Sequence, residues 1–574
     1  MDERYFSMRA QFFEREIERA CTFKLQELEE LWFCSRKNVK RILHQFEDRG
    51  KLMYLPGEGR GNSSRLLFSN DFQGEVEEVI KDCVQKGQLD ATAHLLRLPI
   101  PKLWIMKASS DIREIFGYQS GNESKDILHG FIERDLTTLN PVNVSITFES
   151  HLIEYLGDTL VKYDVGEDRI LPHLAHHFKV DDEQRRFTFY LRKGVLFHSH
   201  DKLTSRDVES TVSRIKDARG SASQWLADDI QEVECEGPYK VTIVLRNPNP
   251  FFLRYIASPH FSILPASMIF NEYEWIGSGP FAIKERTTSK LVLEAFDHYF
   301  LERPLLDELH FYGVTKEAAS IVNYNLDDSQ PDQVKSKQAI ESGFRFLLCN
   351  GKRDSIIKEH SFRKALYHLV DINEMGNDLG WGEWVEASSF VPSRSCRQEK
   401  RSEKIYPLLK ESGYSGEAIQ LYHLDYGKGI QTAEWLKMRG AQFGILFELH
   451  PFSYKDFYES NIEQMADVVL IGEVSSLDSH LSFLGAFKND FLYFRKMFPI
   501  DSIEWIDNEL EKFKKEDWPG REAIMERIEE HIRHKNLLIF LYHPIKKRTF
   551  HPMIKDVTFH SFSHIDFSKL WIPH

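Results

Sequence analysis

The chain has 574 residues, of which 42% are hydrophobic and 28% are charged, and its formal net charge is -14 at pH 7. This length exceeds what a single ordinary hydrophobic core organises, and a guide of about 150 residues per domain predicts roughly four structural units. The composition is that of ordinary globular proteins, and the acidic balance excludes nucleic-acid binding by the molecule as a whole.

The sequence offers no signal for export or membrane insertion. It begins Met-Asp-Glu-Arg-Tyr-Phe, without the basic segment, apolar core and cleavage site of a secretory signal. No run of about 18 apolar residues could span a bilayer. The six cysteines are scattered without metal-binding or redox spacing, at positions 21, 34, 83, 235, 349 and 396. We therefore expect a cytoplasmic protein with reduced thiols, no membrane contact and no cofactor.

Positive charge is concentrated in residues 35–65, which carry a local charge of +5 inside an otherwise acidic chain. Apolar residues at helical spacing predict three helices, at about residues 5–21, 25–32 and 36–49. The third helix has an apolar stripe of Val39, Ile42, Leu43 and Phe46 and an opposite side of Lys37, Lys40, Arg41 and His44. Ser35 is expected to cap this helix with its hydroxyl, and Gly50 to end it in a left-handed conformation.

A β-hairpin is predicted after this basic helix, with strands at residues 51–55 and 63–69 and a glycine-rich tip. Two helices, a short turn and a basic hairpin in this order predict a winged helix-turn-helix, with the basic helix in the major groove and the wing on the backbone or in the minor groove. A surface helix with solvated charges is the alternative. The candidate DNA-binding residues are Ser35, Arg36, Lys37, Lys40, Arg41, His44, Arg60, Asn62 and Arg65.

The same region resembles a family of transcription factors. The helix "CSRKNVKRIL" and the wing "GEGRGNSSRL" are similar to the N-terminal domain of the SgrR-type regulators of sugar-phosphate stress. The resemblance covers about residues 5–110 and implies double-stranded DNA as a partner. We therefore predict a DNA-binding domain over residues 1–115, with a polar linker within residues 109–125.

Residues 126–574 alternate between predicted strands and helices, which indicates a mixed α/β architecture. The blocks "GSGPFAIKERTTSKLVLEAFDHYF", "FRKALYHLVDINEM" and "HIDFSKLWI" resemble the extracellular solute-binding proteins of the oligopeptide, dipeptide and nickel class. The resemblance implies a two-lobed, periplasmic-binding-protein-like domain with an additional subdomain and a small-molecule ligand between the lobes. The fold class expected for the whole chain is therefore α/β multidomain.

The resemblance also suggests ligand-binding candidates. Trp381 and Trp384 precede a segment that lines the cleft in the family, although aromatic residues more often pack in a core. Peptide-binding members carry a Gly-Trp-x-x-Asp block whose Asp pairs with the peptide ammonium group. Here Glu473 stands in place of the Trp and Ser476 in place of the Asp, while Asp478 lies nearby. Loss of that carboxylate argues against ordinary peptide binding.

Other sites have weaker support. The sequence His198-Ser199-His200 lacks a third ligand at a suitable spacing, so we predict no metal site, and no catalytic motif is present. Two hypotheses remain: a ligand-responsive transcriptional regulator that is not an enzyme and could form a homodimer, or a substrate-binding protein of an ABC transporter. The second hypothesis would favour a signal peptide or a lipidated cysteine, and Cys21 has no apolar stretch before it.

Overall fold

The structure is a computed structural model of the chain. It describes residues 1–57, 63–106, 118–120, 125–132, 134–315, 318, 335–425, 427–474, 476, 478–550 and 566–571.

Residues 1–106, called the N-terminal unit here, combine helices with a small antiparallel sheet of order β1-β3-β2. Its elements are α1 (Glu3–Phe12), β1 (Ala20–Phe23), α2 (Leu25–Leu31), α3 (Arg36–Asp48), β2 (Leu52–Leu55), β3 (Ser64–Phe68), α4 (Phe72–Gln85), α5 (Leu89–Arg97) and α6 (Lys102–Met106). The helix α3 follows α2 after a short turn, and β2 and β3 form the hairpin of a winged helix-turn-helix.

The first predicted helix is shorter than the sequence pattern indicated. The helix α1 ends at Phe12, and Glu18 and Arg19 both adopt positive φ in a tight turn that leads into β1. In β1 the side chains of Cys21 and Phe23 alternate into the core with a period of two. The apolar residues beyond Phe12 therefore continued the helical spacing only by coincidence.

The first lobe comprises residues 125–315 and 566–571 and contains two larger sheets, of orders β12-β13-β14-β5-β4 and β10-β11-β9-β8, and the two-stranded sheet β6-β7. Residues 118–120, in the segment expected to be a linker, add the edge strand β4. The elements are β4 (Tyr118–Ser120), β5 (Asp126–Ile132), α7 (Thr147–Leu156), β6 (Val161–Asp164), β7 (Arg169–Pro172), β8 (Ala175–Val180), β9 (Arg186–Leu191), α8 (Ser205–Asp217), β10 (Ile230–Cys235), β11 (Lys240–Leu245), α9 (Phe252–Ile256), β12 (Phe281–Arg286), β13 (Lys290–Ala295) and β14 (Glu308–Gly313).

The second lobe comprises residues 343–543 around a six-stranded sheet of order β17-β21-β16-β20-β18-β19. Two antiparallel strands, β15 and β22, adjoin this lobe in the chain. The elements are β15 (Lys335–Ile340), β16 (Gly343–Cys349), α10 (His360–Leu369), α11 (Ile372–Asp378), β17 (Val385–Glu386), α12 (Ile405–Ser412), β18 (Ala418–Leu424), α13 (Lys428–Gln442), β19 (Leu446–Phe452), α14 (Tyr454–Glu459), α15 (Ile462–Met465), β20 (Val468–Val474), α16 (Ser479–Lys488), α17 (Tyr493–Met497), α18 (Ile500–Phe513), α19 (Trp518–His534), β21 (Leu538–His543) and β22 (Ile545–Phe550).

The N-terminal unit is anchored on the first lobe. Tyr312 and Val314, at and after the end of β14, belong to the same hydrophobic core as α1–α6. The backbone N–H of Thr315 donates a hydrogen bond to the carbonyl of Leu96, and Arg97 pairs with Asp135 at 2.7 Å. Because these contacts combine apolar packing with backbone hydrogen bonds, the N-terminal unit and the first lobe form one packed body.

Candidate functional site

The helix α3 separates an apolar side from a basic side. Val39, Ile42, Leu43 and Phe46 are at most 3% exposed and pack in the core of the N-terminal unit. The opposite side, called the recognition face, consists of Lys37, Lys40, Arg41 and His44, and all four residues are exposed. The structure therefore leaves these four side chains accessible to a partner.

Ser35 is the residue that precedes the first turn of α3, as the sequence indicates, but its side chain does not cap the helix as expected. The Ser35 hydroxyl accepts no capping hydrogen bond within the described residues, and its carbonyl accepts the N–H groups of Asn38 and Val39. Arg36 is exposed and lies 3.2 Å from Glu29. The first N–H groups of a helix and an unengaged hydroxyl are suited to a phosphate oxygen.

The wing is described in part. Arg65 is exposed on β3, where it lies opposite Thr22 of β1 and Leu55 of β2. Arg60 and Asn62 lie outside the described residues. At the other end of α3, Gly50 adopts φ +68°, as expected for a left-handed C-terminal cap.

A cleft between the two lobes contains two cavities, of about 220 and 330 Å³. They meet at Ser145–Thr147, which lead into α7, and at Glu473 and Val474 at the end of β20. The polar lining of the smaller cavity includes Thr159, Lys162, Tyr163, Trp225, Ser258, His260, Ser482 and Asn489. The larger cavity adds Arg345, Lys428, Tyr454 and Tyr542. A polar solute could therefore be bound by groups from both lobes.

Glu473 lines both cavities, and no hydrogen bond to its carboxyl group occurs in the described part of the chain. Burial raises the pKa of Glu473 to about 8, although the Arg345 guanidinium opposes the shift. At neutral pH the carboxyl group is therefore largely protonated, and it can donate a hydrogen bond to a ligand oxygen.

Ser476 and Asp478 also line the smaller cavity, but both side chains already have partners. The Ser476 hydroxyl lies 2.7 Å from the hydroxyl of Ser482. Asp478 accepts the N–H of Leu481 at the start of α16 and forms a bidentate ion pair with Arg254 of the first lobe. Its carboxylate is therefore neutralised before any ligand enters.

Trp381 and Trp384 are not among the residues that line either cavity. Trp381 packs edge-on against Tyr542 with ring centroids 5.0 Å apart, and the Lys428 ammonium lies 4.2 Å from its ring centroid. Trp384 lies against Gly376, where an added Cβ would approach its ring within 2.5 Å. Both side chains thus lie behind the cavity wall.

Sequence reasoning missed most of the cavity lining, including Lys162, Tyr163, Trp225, Arg254 and His260. Lys162 and Tyr163 lie on β6, whereas Trp225, Arg254 and His260 lie on other segments of the first lobe. The strands and helices that carry these side chains could be predicted from the sequence. Their meeting around one cavity could not, because it depends on the tertiary fold.

The described residues contain no group of three His, Cys, Asp or Glu side chains that could hold a metal ion. His198 instead accepts the N–H of Gly277 and donates to the carbonyl of Gly279, which fixes the turn at residues 277–280. In the described part of the chain, no helix has both the length and the apolarity needed to cross a bilayer.

The Glu473→Gln variant is expected to lose part of the pH dependence of stability. The unfolded chain releases the Glu473 proton near pH 4.5 and the folded chain near pH 8, so unfolding releases a proton between these values. The free energy of unfolding should therefore fall as the pH rises through this window, by at most about 1.4 kcal/mol per pH unit. Denaturant unfolding from pH 5 to pH 8.5 should show a flatter profile for the variant.

The matched control is Glu448→Gln, which removes an exposed carboxylate from the edge strand β19 of the same sheet. This control should keep the wild-type pH profile. Equal slopes for wild type and Glu473→Gln would contradict the raised pKa of Glu473.

Comparisons with known proteins agree with this geometry. The model of the family described as bacterial extracellular solute-binding proteins, family 5 Middle, matches residues 169–491, which is more than half of the chain. The model described as sugar transport-related sRNA regulator N-term matches residues 2–109.

Full-length relatives and a solved structure are similar to most of the chain. The uncharacterized protein YhjP of Bacillus subtilis is 30% identical over 478 residues, which span 82% of each chain. The HTH-type transcriptional regulator SgrR of Pectobacterium atrosepticum is 24% identical over 76% of this chain and 77% of its own length. The dipeptide-binding protein of Pseudoalteromonas sp. SM9913, solved with Met-Leu, has the same fold, with a TM-score of 0.68 and 17% identity over 78% of this chain and all of its own. The chain therefore belongs to the SgrR-type transcriptional regulators, in which an SgrR N-terminal domain is joined to a family 5 solute-binding domain.

Proposed function

We propose that this chain is a ligand-responsive transcriptional regulator. Its N-terminal unit binds double-stranded DNA, and its interlobe cleft binds a small polar solute. The observation that carries the proposal is the exposed recognition face of α3, set opposite a buried apolar stripe in a chain whose overall charge is strongly negative.

The charges of the N-terminal unit support the DNA-binding part of the proposal. Lys37, Lys40 and Arg41 project from the helix that enters the major groove in winged helix-turn-helix proteins. Ser35 and Arg36 lie at its N-terminus, where phosphate contacts fix the register of a protein on the duplex. Arg65 extends the positive surface onto the wing.

The chemistry of the cleft supports a sugar, a sugar phosphate or a peptide-like solute. Hydroxyl and amide groups, with Lys162 at the smaller cavity and Lys428 at the larger one, are suited to hydroxyl-rich or anionic ligands. The ammonium group of an ordinary peptide would lack a free carboxylate from Asp478, because Asp478 is already paired with Arg254. A thermal-shift screen of these three solute classes can identify the ligand, since binding to the folded state raises the melting temperature.

Because the N-terminal unit packs on the first lobe, ligand binding in the cleft can affect DNA binding. A ligand that contacts both lobes favours their closed arrangement. Because the N-terminal unit is fixed to the first lobe through Leu96, Arg97 and Tyr312, closure moves the second lobe relative to bound DNA. The accessibility of a DNA site or the contact with a second copy then depends on the ligand.

The Lys40→Ala/Arg41→Ala variant tests DNA binding directly. On a duplex from the region upstream of the protein's own gene, we expect about 30-fold weaker binding, because two cationic contacts are lost. The slope of log K against log salt should fall by about 1.8, corresponding to two phosphate contacts. Fluorescence anisotropy between 50 and 200 mM salt measures both quantities.

The control variant, Arg186→Ala/Lys240→Ala, removes two positive charges at the first residues of β9 and β11 in the first lobe. It should retain wild-type affinity and salt dependence. If Lys40→Ala/Arg41→Ala also retained both, the recognition face would not contact DNA, and the substrate-binding role of an ABC transporter would become the better interpretation.

A further inference from the structure

Phe33 occupies an unusual position between the two helices of the helix-turn-helix. Its side chain is 95% exposed, although it lies only two residues before the cap of α3. A large apolar ring in water contributes nothing to the core of the N-terminal unit. The ring is therefore available for contact with a partner of the helix-turn-helix.

The backbone at Phe33 makes this choice of residue more unusual. The N–H of Cys34 donates to the carbonyl of Glu29 at 3.1 Å and that of Phe33 to Glu30 at 3.4 Å, which is the Schellman arrangement at the end of α2. Phe33 adopts φ +47°. Side chains with a Cβ disfavour this left-handed conformation, so glycine or asparagine usually occupies it.

The end of α3 provides an internal comparison. The N–H of Lys51 donates to Phe46 and that of Gly50 to Glu47, so the same motif recurs with glycine at the left-handed position. A single helix-turn-helix thus uses glycine at one helix end and an exposed phenylalanine at the other. Backbone strain of this kind persists where it serves function.

The neighbours of Phe33 indicate which partner the ring meets. Ser35, Arg36 and Lys37 follow it after Cys34 and are exposed, and Lys40 lies one turn further along α3. Of these cations, Arg36 is paired with Glu29 of α2 at 3.2 Å. An apolar group followed by exposed cations is complementary to the edge of the major groove, where thymine methyl groups lie between phosphates. A protein partner would not require this local excess of positive charge.

We propose that Phe33 is a specificity-determining residue that packs against a thymine methyl group of the DNA site, beside the phosphate contacts at the start of α3. This inference rests on the proposed DNA-binding function and names a base feature that the basic residues do not read. The ring supplies sequence preference, whereas the cations supply affinity that depends little on sequence.

The test compares thymine with uracil, which lacks the methyl group. A duplex is selected from a random pool with the wild-type full-length protein, and each thymine in it is then replaced singly by uracil. Wild type should lose about fourfold in affinity at one or two positions, which corresponds to one buried methyl group. The Phe33→Gly and Phe33→Asn variants should bind the thymine and uracil duplexes equally.

Two controls separate the ring from its surroundings. Phe33→Gly should melt at a higher temperature than wild type, because glycine accepts the left-handed conformation, so weaker binding could not be attributed to unfolding. Lys40→Ala/Arg41→Ala should bind more weakly but should still distinguish thymine from uracil. Affinity is measured by fluorescence anisotropy at a fixed salt concentration.

Three outcomes would overturn the proposal. If no wild-type binding to any duplex is found, the DNA-binding function itself fails. Tight wild-type binding with no thymine–uracil difference overturns the role of Phe33 alone. Unchanged DNA binding by Phe33→Gly together with dissociation of an oligomer in sedimentation assigns the ring to a protein interface instead.

Discussion

Replacing Arg9 with alanine is expected to lower the free energy of unfolding of the N-terminal unit by about 3–5 kcal/mol. The Arg9 side chain is fully buried, and its guanidinium lies 3.0 Å from Glu16 and 3.2 Å from Glu75. It also stacks over the ring of Phe68 at 3.9 Å. Removal of the guanidinium takes this ion pair from Glu16. Glu75 also loses its ion pair with Arg9 and keeps the one with Lys51.

Hydrogen exchange of the amides in residues 1–106 measures this loss in the full-length protein, where global unfolding is not a single step. The matched control is Arg15→Ala, which removes the exposed partner of Glu27 and should cost at most about 1 kcal/mol. The double variant Arg9→Met/Glu75→Gln should recover much of the loss, because an apolar side chain then faces a neutral one. Equal protection in Arg9→Ala and wild type would contradict the prediction.

The buried Arg9 also shows what sequence patterns leave out. The apolar periodicity of α3 and its basic side could be predicted, because both depend on spacing along a single helix. Arg9 lies on α1 among apolar residues, and its partner Glu75 is 66 residues away in the sequence, while Glu16 reaches it only through the turn after α1. Nothing in the local sequence distinguishes this cation from an exposed one.

The candidate ligand site shows the same limit. Glu473 was identified from a family block on a single strand, and it lines both cavities. Trp381 and Trp384 are candidates because they precede a segment that lines the cleft in the family, and they lie behind the wall. Arg254 was not identified, because its role arises only where the two lobes meet. The two-lobed fold could be recognised from ordered blocks, whereas side-chain convergence across lobes could not.

A charged cluster beside the smaller cavity joins the two lobes, next to an apolar core to which both lobes contribute. Arg254 of the first lobe pairs with Asp478 of the second, and Asp168 of the first lobe lies 3.1 Å from Arg521 of the second. Arg254 also lies 2.7 Å from Asp168, and its guanidinium is 3.4 Å from the ring centroid of Tyr163. This cluster, called the interlobe latch, joins the lobes where a ligand would enter.

Replacing Arg254 with alanine is expected to destabilise the closed arrangement of the lobes by about 3–5 kcal/mol, because Asp478 loses its only cationic partner in the described part of the chain. A change of this size shifts an open–closed equilibrium by a factor of at least about 100 towards the open form. Small-angle X-ray scattering should therefore report a larger radius of gyration for the variant without added ligand. Affinity for a ligand that requires closure should fall in the same proportion.

Two further variants distinguish the latch from general destabilisation. Asp478→Asn removes the same charge pair but keeps an amide oxygen able to cap α16, so it should also open the lobes without unfolding that helix. Arg186→Ala, which breaks an exposed pair with Glu234 on the first lobe, should leave the scattering profile unchanged. An unchanged radius of gyration in both Arg254→Ala and Asp478→Asn would mean that the apolar contact between the lobes, including Phe251 against Phe513, maintains closure alone. In that case the lobes would be closed with or without ligand. Ligand binding could then affect the N-terminal unit only through a change within the first lobe.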